Sequence, residues 1–178
     1  MAGKIHILPV SPPAFDLNLA DRLAAGLAGA FRVSCRVMTE TFDAGFAWDT
    51  ARNQTYSTAV LARLAEAPVD EGDVILGVTE SDLFVPILTF VFGEAQFPGR
   101  AAIISAARLR EEFYGLPPDA SKLDQRLLKE AVHEIGHTRG LAHCDDWRCV
   151  MVSSHRVERL DLKSVELCAR CRRAINAF

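Results

Sequence analysis

Residues 133–143, HEIGHTRGLAH, oblige the chain to build a helix and then to end it. His133 and His137 are four apart, so in a helix both imidazoles leave from one face and can reach the same ion. Glu134 lies about 100° further round, where it can approach a water at such an ion without being a ligand. His143 sets the harder constraint. Were the helix to continue, it would stand about 15 Å along the axis from His133, yet zinc–nitrogen bonds are only about 2.0–2.1 Å long. The chain must therefore turn back between His137 and His143. Gly140, midway between them, suits this, because glycine enters the left-handed conformation that ends helices at no steric cost. Three neutral histidines leave one position open on a tetrahedral metal, which is the arrangement of a catalytic zinc site.

The segment upstream supports the helix. SKLDQRLLKEAVHEIGHTRG opens with Ser121 and Asp124 in capping-box-like spacing, and Leu123, Leu127, Leu128, Ala131 and Ile135 form an apolar stripe. Earlier in the chain, strands and helices alternate. Residues 4–10 read as a strand and 16–31 as a helix. FRVSCRVM (31–38) reads as a second strand, and 55–66 as a second helix with Ser57 as a possible cap. Residues 73–95 hold a buried strand, a polar turn at 80–82 and a further strand near 88–93; residues 101–109 read as another strand. The alternation predicts an α/β (α+β) domain with a mixed sheet, without internal repeats or linkers.

Four of the five cysteines, Cys144, Cys149, Cys168 and Cys171, fall within the last 35 residues, the latter two in a run (161–178) that reads as a terminal helix. Disulfides would be spread to suit loops, whereas a C-x4-C pair joined by a C-x2-C pair supplies four soft ligands for a closed tetrahedral zinc. One ion cannot serve both sets. Thiolate in the open histidine position would leave no place for water, and the adjacent His143 and Cys144 would point in different directions. Two zinc ions per chain are expected, one catalytic at His133, His137 and His143 and one structural at Cys144, Cys149, Cys168 and Cys171. Cys35 falls on the apolar face of its strand, as a buried and inert thiol.

Composition excludes several classes. With 178 residues, 49% of them hydrophobic, the chain can bury roughly 70% of its unfolded surface, so it does not need metal merely to have a core. A formal charge of −3 offers no overall field for nucleic acid or anionic membrane, and no apolar run approaches a membrane span. MAGKIHILPVSPPAF, interrupted by Pro9 and by Pro12–Pro13, reads as a first strand and not as a signal peptide, so a cytoplasmic protein made in its final form is expected.

The extended histidine pattern resembles the metzincin motif, and Met151, eight residues after His143, matches the methionine-bearing turn that underlies the zinc in that group. With Cys144, Cys149, Cys168 and Cys171 added, the chain resembles the archaemetzincin family of zinc-dependent peptidases. ARNQTYSTAVLARL (51–64) and VTESDLFVPILTFVFGEAQ (78–96) are also similar to that family, so the resemblance covers nearly the whole chain. It implies a zincin-like fold: a compact three-layer domain with a twisted mixed sheet, an active-site helix, and a C-terminal helix tied down by the four-cysteine zinc. It also implies that the strand near 88–93 borders a cleft above the active helix.

The expectation is a single peptidase domain over residues 1–178, its cysteine element within 144–171, acting as a monomer on peptides or small proteins. Hydrolysis would use metal-activated water, with Glu134 as general base and then general acid. The competing reading is a non-enzymatic, zinc-stabilised module that binds nucleic acid or protein. Residues 139–178 hold eight Lys/Arg against five Asp/Glu, including Arg170, Arg172 and Arg173. The aromatic interleaving that single-stranded nucleic acid binding favours is absent, however, and this reading gives Glu134 no purpose.

Overall fold

The computed structural model describes residues 3–175. Its elements in chain order are β1 (Ile5–Ser11), α1 (Leu17–Phe31), β2 (Cys35–Val37), β3 (Phe42–Asp43), β4 (Trp48–Asp49), β5 (Gln54–Tyr56), α2 (Ser57–Leu64) and β6 (Val74–Thr79). There follow β7 (Leu83–Phe84), β8 (Gly93–Ala95), β9 (Ala101–Ser105), α3 (Ala120–Thr138), α4 (Val157–Leu162) and α5 (Ala169–Ala174). The main sheet runs β2-β1-β6-β9-β8, with β3 also beside β1. β1, β2, β6 and β9 are mutually parallel and β8 is antiparallel to β9, giving the expected mixed sheet. A small second sheet joins β4, β5 and β7.

The central strands read as continuous apolar runs because both faces are covered. On β1, β6 and β9, Ile5, Ile7, Leu76, Val78, Ala102 and Ile104 face the layer made by α1 and α3. The alternate residues Leu8, Val10, Ile75, Ala101 and Ile103 face α2 with Val60, Leu61 and Leu64. The result is three layers, helix–sheet–helix. The catalytic candidate α3 lies along β9 and β8, so its ligands stand at the sheet's antiparallel edge.

Several local expectations shift. The second strand is only Cys35–Val37, because Arg32 ends α1 in the left-handed region at φ 57°. Residues 88–92 are not a strand; the strand begins at Gly93. The strand from 101 stops at Ser105 and gives way to short 3-10 turns at Ala107–Leu109 and Glu111–Tyr114. Ser57 does not cap α2; it is the first helical residue, and its hydroxyl oxygen lies 3.0 Å from the Phe84 carbonyl oxygen. The cap of α3 is Asp119, which accepts from the Lys122 amide at 2.9 Å, while Asp124 pairs with Arg22 of α1. The terminal helix is two short helices, α4 and α5, separated by an extended stretch that starts at Lys163; residues 176–178 of that expected helix lie outside the described residues.

Candidate metal centres

α3 ends where HEIGHTRGLAH requires. Gly140 takes φ +82°, the Leu141 amide donates to the Gly136 carbonyl at 3.0 Å, and the Gly140 amide donates to the His137 carbonyl at 2.9 Å. These are the two bonds of a left-handed helix stop, and they swing His143 back beside its partners. Ring centroids are 4.6 Å apart for His133 and His137, 5.3 Å for His133 and His143, and 5.0 Å for His137 and His143.

The hydrogen bonds settle which nitrogen faces inward. His133 Nδ1 lies 2.8 Å from the Val150 carbonyl and His137 Nδ1 lies 2.7 Å from the Leu141 carbonyl. A carbonyl only accepts, so each Nδ1 carries the proton and each Nε2 presents a lone pair. The two Nε2 atoms are 3.1 Å apart and have no proton to share, so this contact is not a hydrogen bond. Two ligands of a tetrahedral zinc at about 2.0–2.1 Å would stand about 3.3 Å apart. Burial holds all three imidazoles below their ordinary pKa, His133 well below, which keeps them neutral and able to coordinate.

Glu134 is buried, and its carboxyl is held well above the ordinary carboxylate range, first by burial and then by Glu130, with Lys163 opposing. It lies against Gly93 of β8, where a Cβ would sit 2.8 Å from Glu134 Cγ and 2.9 Å from Oε1. A cleft of about 370 Å³ opens over Glu134, His133 and His143, walled on its far side by residues 88–93. His137 is outside the cleft lining; the Phe97 ring lies edge-on to it at 5.9 Å.

Met151 is fully buried beneath α3. A Cβ at Gly136 would come within 2.5 Å of its sulfur, so the glycine between the two helical histidines is what lets the methionine approach. Glycine costs about 1 kcal/mol against alanine inside a helix, and here that cost secures the close approach. Sequence reasoning missed Gly93, Gly136 and the buried pair Lys163–Glu130 (3.3 Å), whose lysine also donates to the Val152 carbonyl. Glu130 was findable, since it stands one turn before Glu134 on the same helix face.

The second cluster is also assembled. Among the described residues there are two groups of metal-ligating side chains, the three histidines and Cys144, Cys149, Cys168 and Cys171. The Cys144 amide donates to the Met151 carbonyl at 3.0 Å and that of Cys149 to the Asp146 carbonyl at 2.9 Å, which folds 144–151 so that both thiols face α5. The cysteines are free, and Cys144 and Cys168 Sγ are 3.8 Å apart. Two sulfurs on a tetrahedral zinc at about 2.3 Å would also be about 3.8 Å apart. Backbone N–H of Cys171 draws the Cys168 thiol down to about 7, while burial pushes Cys149 and Cys171 up. Arg170 donates to Cys144 Sγ at 3.2 Å, so one arginine of the basic tail serves this sulfur group. His143 and Cys144, consecutive in the chain, go to different clusters. Both donor sets suit zinc. Cys35, by contrast, is half-buried at the core edge, its thiol pushed up to about 11 by burial.

Neutral imidazoles on a helix and its returning turn, with a buried ionisable carboxyl at the floor of an open cleft, place the molecule among the zinc hydrolases. Known proteins narrow the class. The model of Peptidase family M54 matches residues 35–177. An archaemetzincin of Methanocaldococcus jannaschii is 47% identical over 137 residues, covering 77% of this chain and 74% of that one. The structure of an Archaeoglobus fulgidus archaemetzincin complexed with malonate superposes with TM-score 0.84 at 35% identity, over 97% of this chain and 99% of that one. A zinc-dependent peptidase of Methanocorpusculum labreanum gives TM-score 0.86 at 31% identity, over 97% and 100%. The chain belongs to peptidase family M54, the archaemetzincins, and is a zinc metallopeptidase acting on peptides.

Proposed function

We propose that His133, His137 and His143 hold the catalytic zinc, that Cys144, Cys149, Cys168 and Cys171 hold a second, structural zinc, and that Glu134 is the general base and acid. The observation that carries this reading is the pairing of both helical Nδ1 atoms with carbonyls, which turns two Nε2 lone pairs towards one point 3.1 Å across, beside a buried carboxylate. When bound at the histidines, zinc polarises the scissile carbonyl and makes water more acidic. The residues supply the rest. Glu134 accepts a proton from the attacking water and returns it to the departing amine. Burial, and then the neighbouring Glu130, raise its affinity for that proton. The 88–93 wall and α3 hold the peptide between them, and Met151 supports the helix from beneath.

The same reading treats residues 1–178 as one peptidase domain of the metzincin type, a cytoplasmic monomer without a nucleic-acid partner. No helix among the described residues is long and apolar enough to cross a membrane. Glu134→Gln should keep its zinc yet lose peptide hydrolysis by about 100-fold to 10,000-fold, the usual contribution of a general base. Near-normal turnover by the folded, zinc-loaded variant would refute the role of Glu134.

A further inference from the structure

The run RNQTYST at 52–58 contributes no ligand and no acid–base group, yet two of its side chains, Arg52 and Gln54, bond to the far wall of the cleft, and two more, Ser57 and Thr58, bond to Glu94 just past its end. That wall, 88–92, is irregular backbone with few ladder bonds of its own: the Val91 amide donates to the Leu83 carbonyl and the Phe92 carbonyl accepts from Ser105. Backbone groups in such a segment need partners from elsewhere. Arg52 Nη2 donates to the carbonyls of Leu88 (2.9 Å) and Thr89 (3.1 Å), and Gln54 Nε2 donates to the Thr89 carbonyl at 2.9 Å.

The two donors also fix each other. Arg52 Nε donates to Gln54 Oε1 at 2.9 Å, and Gln54 Nε2 also donates to Asp82 at 2.8 Å. Asp82 is gripped by Nε and Nη2 of Arg108, whose guanidinium stands 4.1 Å from the centre of the Phe90 ring on the wall itself. At the other end of the run, Ser57 and Thr58 donate to the Glu94 carboxylate, just beyond Gly93. The C=O and N–H of one peptide unit point opposite ways. Drawing the Leu88 and Thr89 carbonyls outward therefore turns the Thr89 and Phe90 N–H groups away from Arg52 and Gln54.

We propose that Arg52 and Gln54 are positioning residues that set peptide affinity by clamping the outer wall of the cleft through the Leu88 and Thr89 carbonyls. They act from behind that wall and do not line the cleft. The proposal rests on the reading of this cleft as the substrate site.

The test uses the full, zinc-loaded chain with Arg52→Ala, Gln54→Ala and Arg52→Lys, measured by steady-state cleavage of a fluorogenic peptide and by amide hydrogen exchange. Both alanine variants should raise KM about tenfold with kcat within about threefold, since the ligands and Glu134 stay in place. Exchange should quicken over 86–92 and remain unchanged over α3. Arg52→Lys, which keeps the charge but not the Nε bond to Gln54, should restore only part of the affinity. It also serves as the readable variant if an alanine variant does not fold. An unchanged KM, a loss confined to kcat, or faster exchange spread into α3 would overturn the clamp. A wild-type protein that cleaves no peptide would instead strike the substrate-site reading and the clamp with it, whereas unchanged exchange over 86–92 strikes the clamp alone.

Discussion

An alanine at position 93 would put a methyl group where the Glu134 side chain already is. Its Cβ would lie 2.8 Å from Glu134 Cγ, 2.9 Å from Oε1 and 2.8 Å from the Ile103 carbonyl oxygen. Carbon atoms in contact prefer about 3.5–4.0 Å, so something must give by about 0.7–1.2 Å. The Ile103 carbonyl belongs to the β8–β9 pairing and can give little, so β8 must draw back slightly from it, while the Glu134 side chain is the freer neighbour and moves most. Gly93 is not in the left-handed region, so alanine introduces no backbone strain to confuse the result. Overpacking of this kind costs about 1–3 kcal/mol, and at this chain length each kcal/mol lowers Tm by about 2–4 °C. A catalytic group displaced by about 1 Å loses on the order of 100-fold in rate. Gly93→Ala should therefore melt about 2–12 °C lower, keep its zinc, and lose about 100-fold in kcat/KM on a fluorogenic peptide. Placed on top of Glu134→Gln it should cost little further activity, because both changes act on the same group. A Gly93→Ala protein within about threefold of wild type, or losses that add in the double variant, would refute the geometric argument.

Graded chelation, followed by metal content, activity and melting, should release two zinc ions in sequence. Activity should follow the weaker ion at the open histidine site and Tm mainly the tighter ion at the closed sulfur site; one joint class bound by nitrogen and sulfur, seen by X-ray absorption, would defeat the two-site assignment. Asp73 is a separate test. Burial works against its ionisation, but the hydrogen bonds from His6 and the Lys4 amide prevail and hold its pKa below the ordinary value. A folded-state pKa that is depressed contributes stability above the unfolded value of about 3.9 and loses it as pH falls through the folded value. Asp73→Asn should be less stable than wild type to urea at pH 7, with the gap narrowing below about pH 4. An equal gap at both pH values would rule out the ionic origin.

The histidine and cysteine groups were legible because their spacing alone constrains geometry: two residues four apart in a helix, then a glycine where only a turn could return His143. What was not legible depended on contacts far along the chain. Ser121 and Asp124 read as the start of α3, but the cap is Asp119, and Asp124 is claimed by Arg22 from α1, about a hundred residues away. The apolar run at 88–92 has the residues of a strand, yet its backbone is bonded by side chains from 52 and 54 in place of a full ladder. The terminal helix breaks at Lys163, whose backbone is extended and whose ammonium is buried against Glu130, thirty-three residues earlier. No local pattern announces a lysine that will be interred.

The last strand of the main sheet ends at Ser105, and every candidate ligand lies at or beyond His133. On a ribosome, where chains emerge from the N-terminus and fold as they appear, the platform that α3 packs against is complete before the first metal-binding side chain has been made. Zinc capture therefore cannot begin until the strands of the main sheet have been made. A nascent chain arrested before His133 and held clear of the exit tunnel would carry the whole sheet and still be blind to zinc.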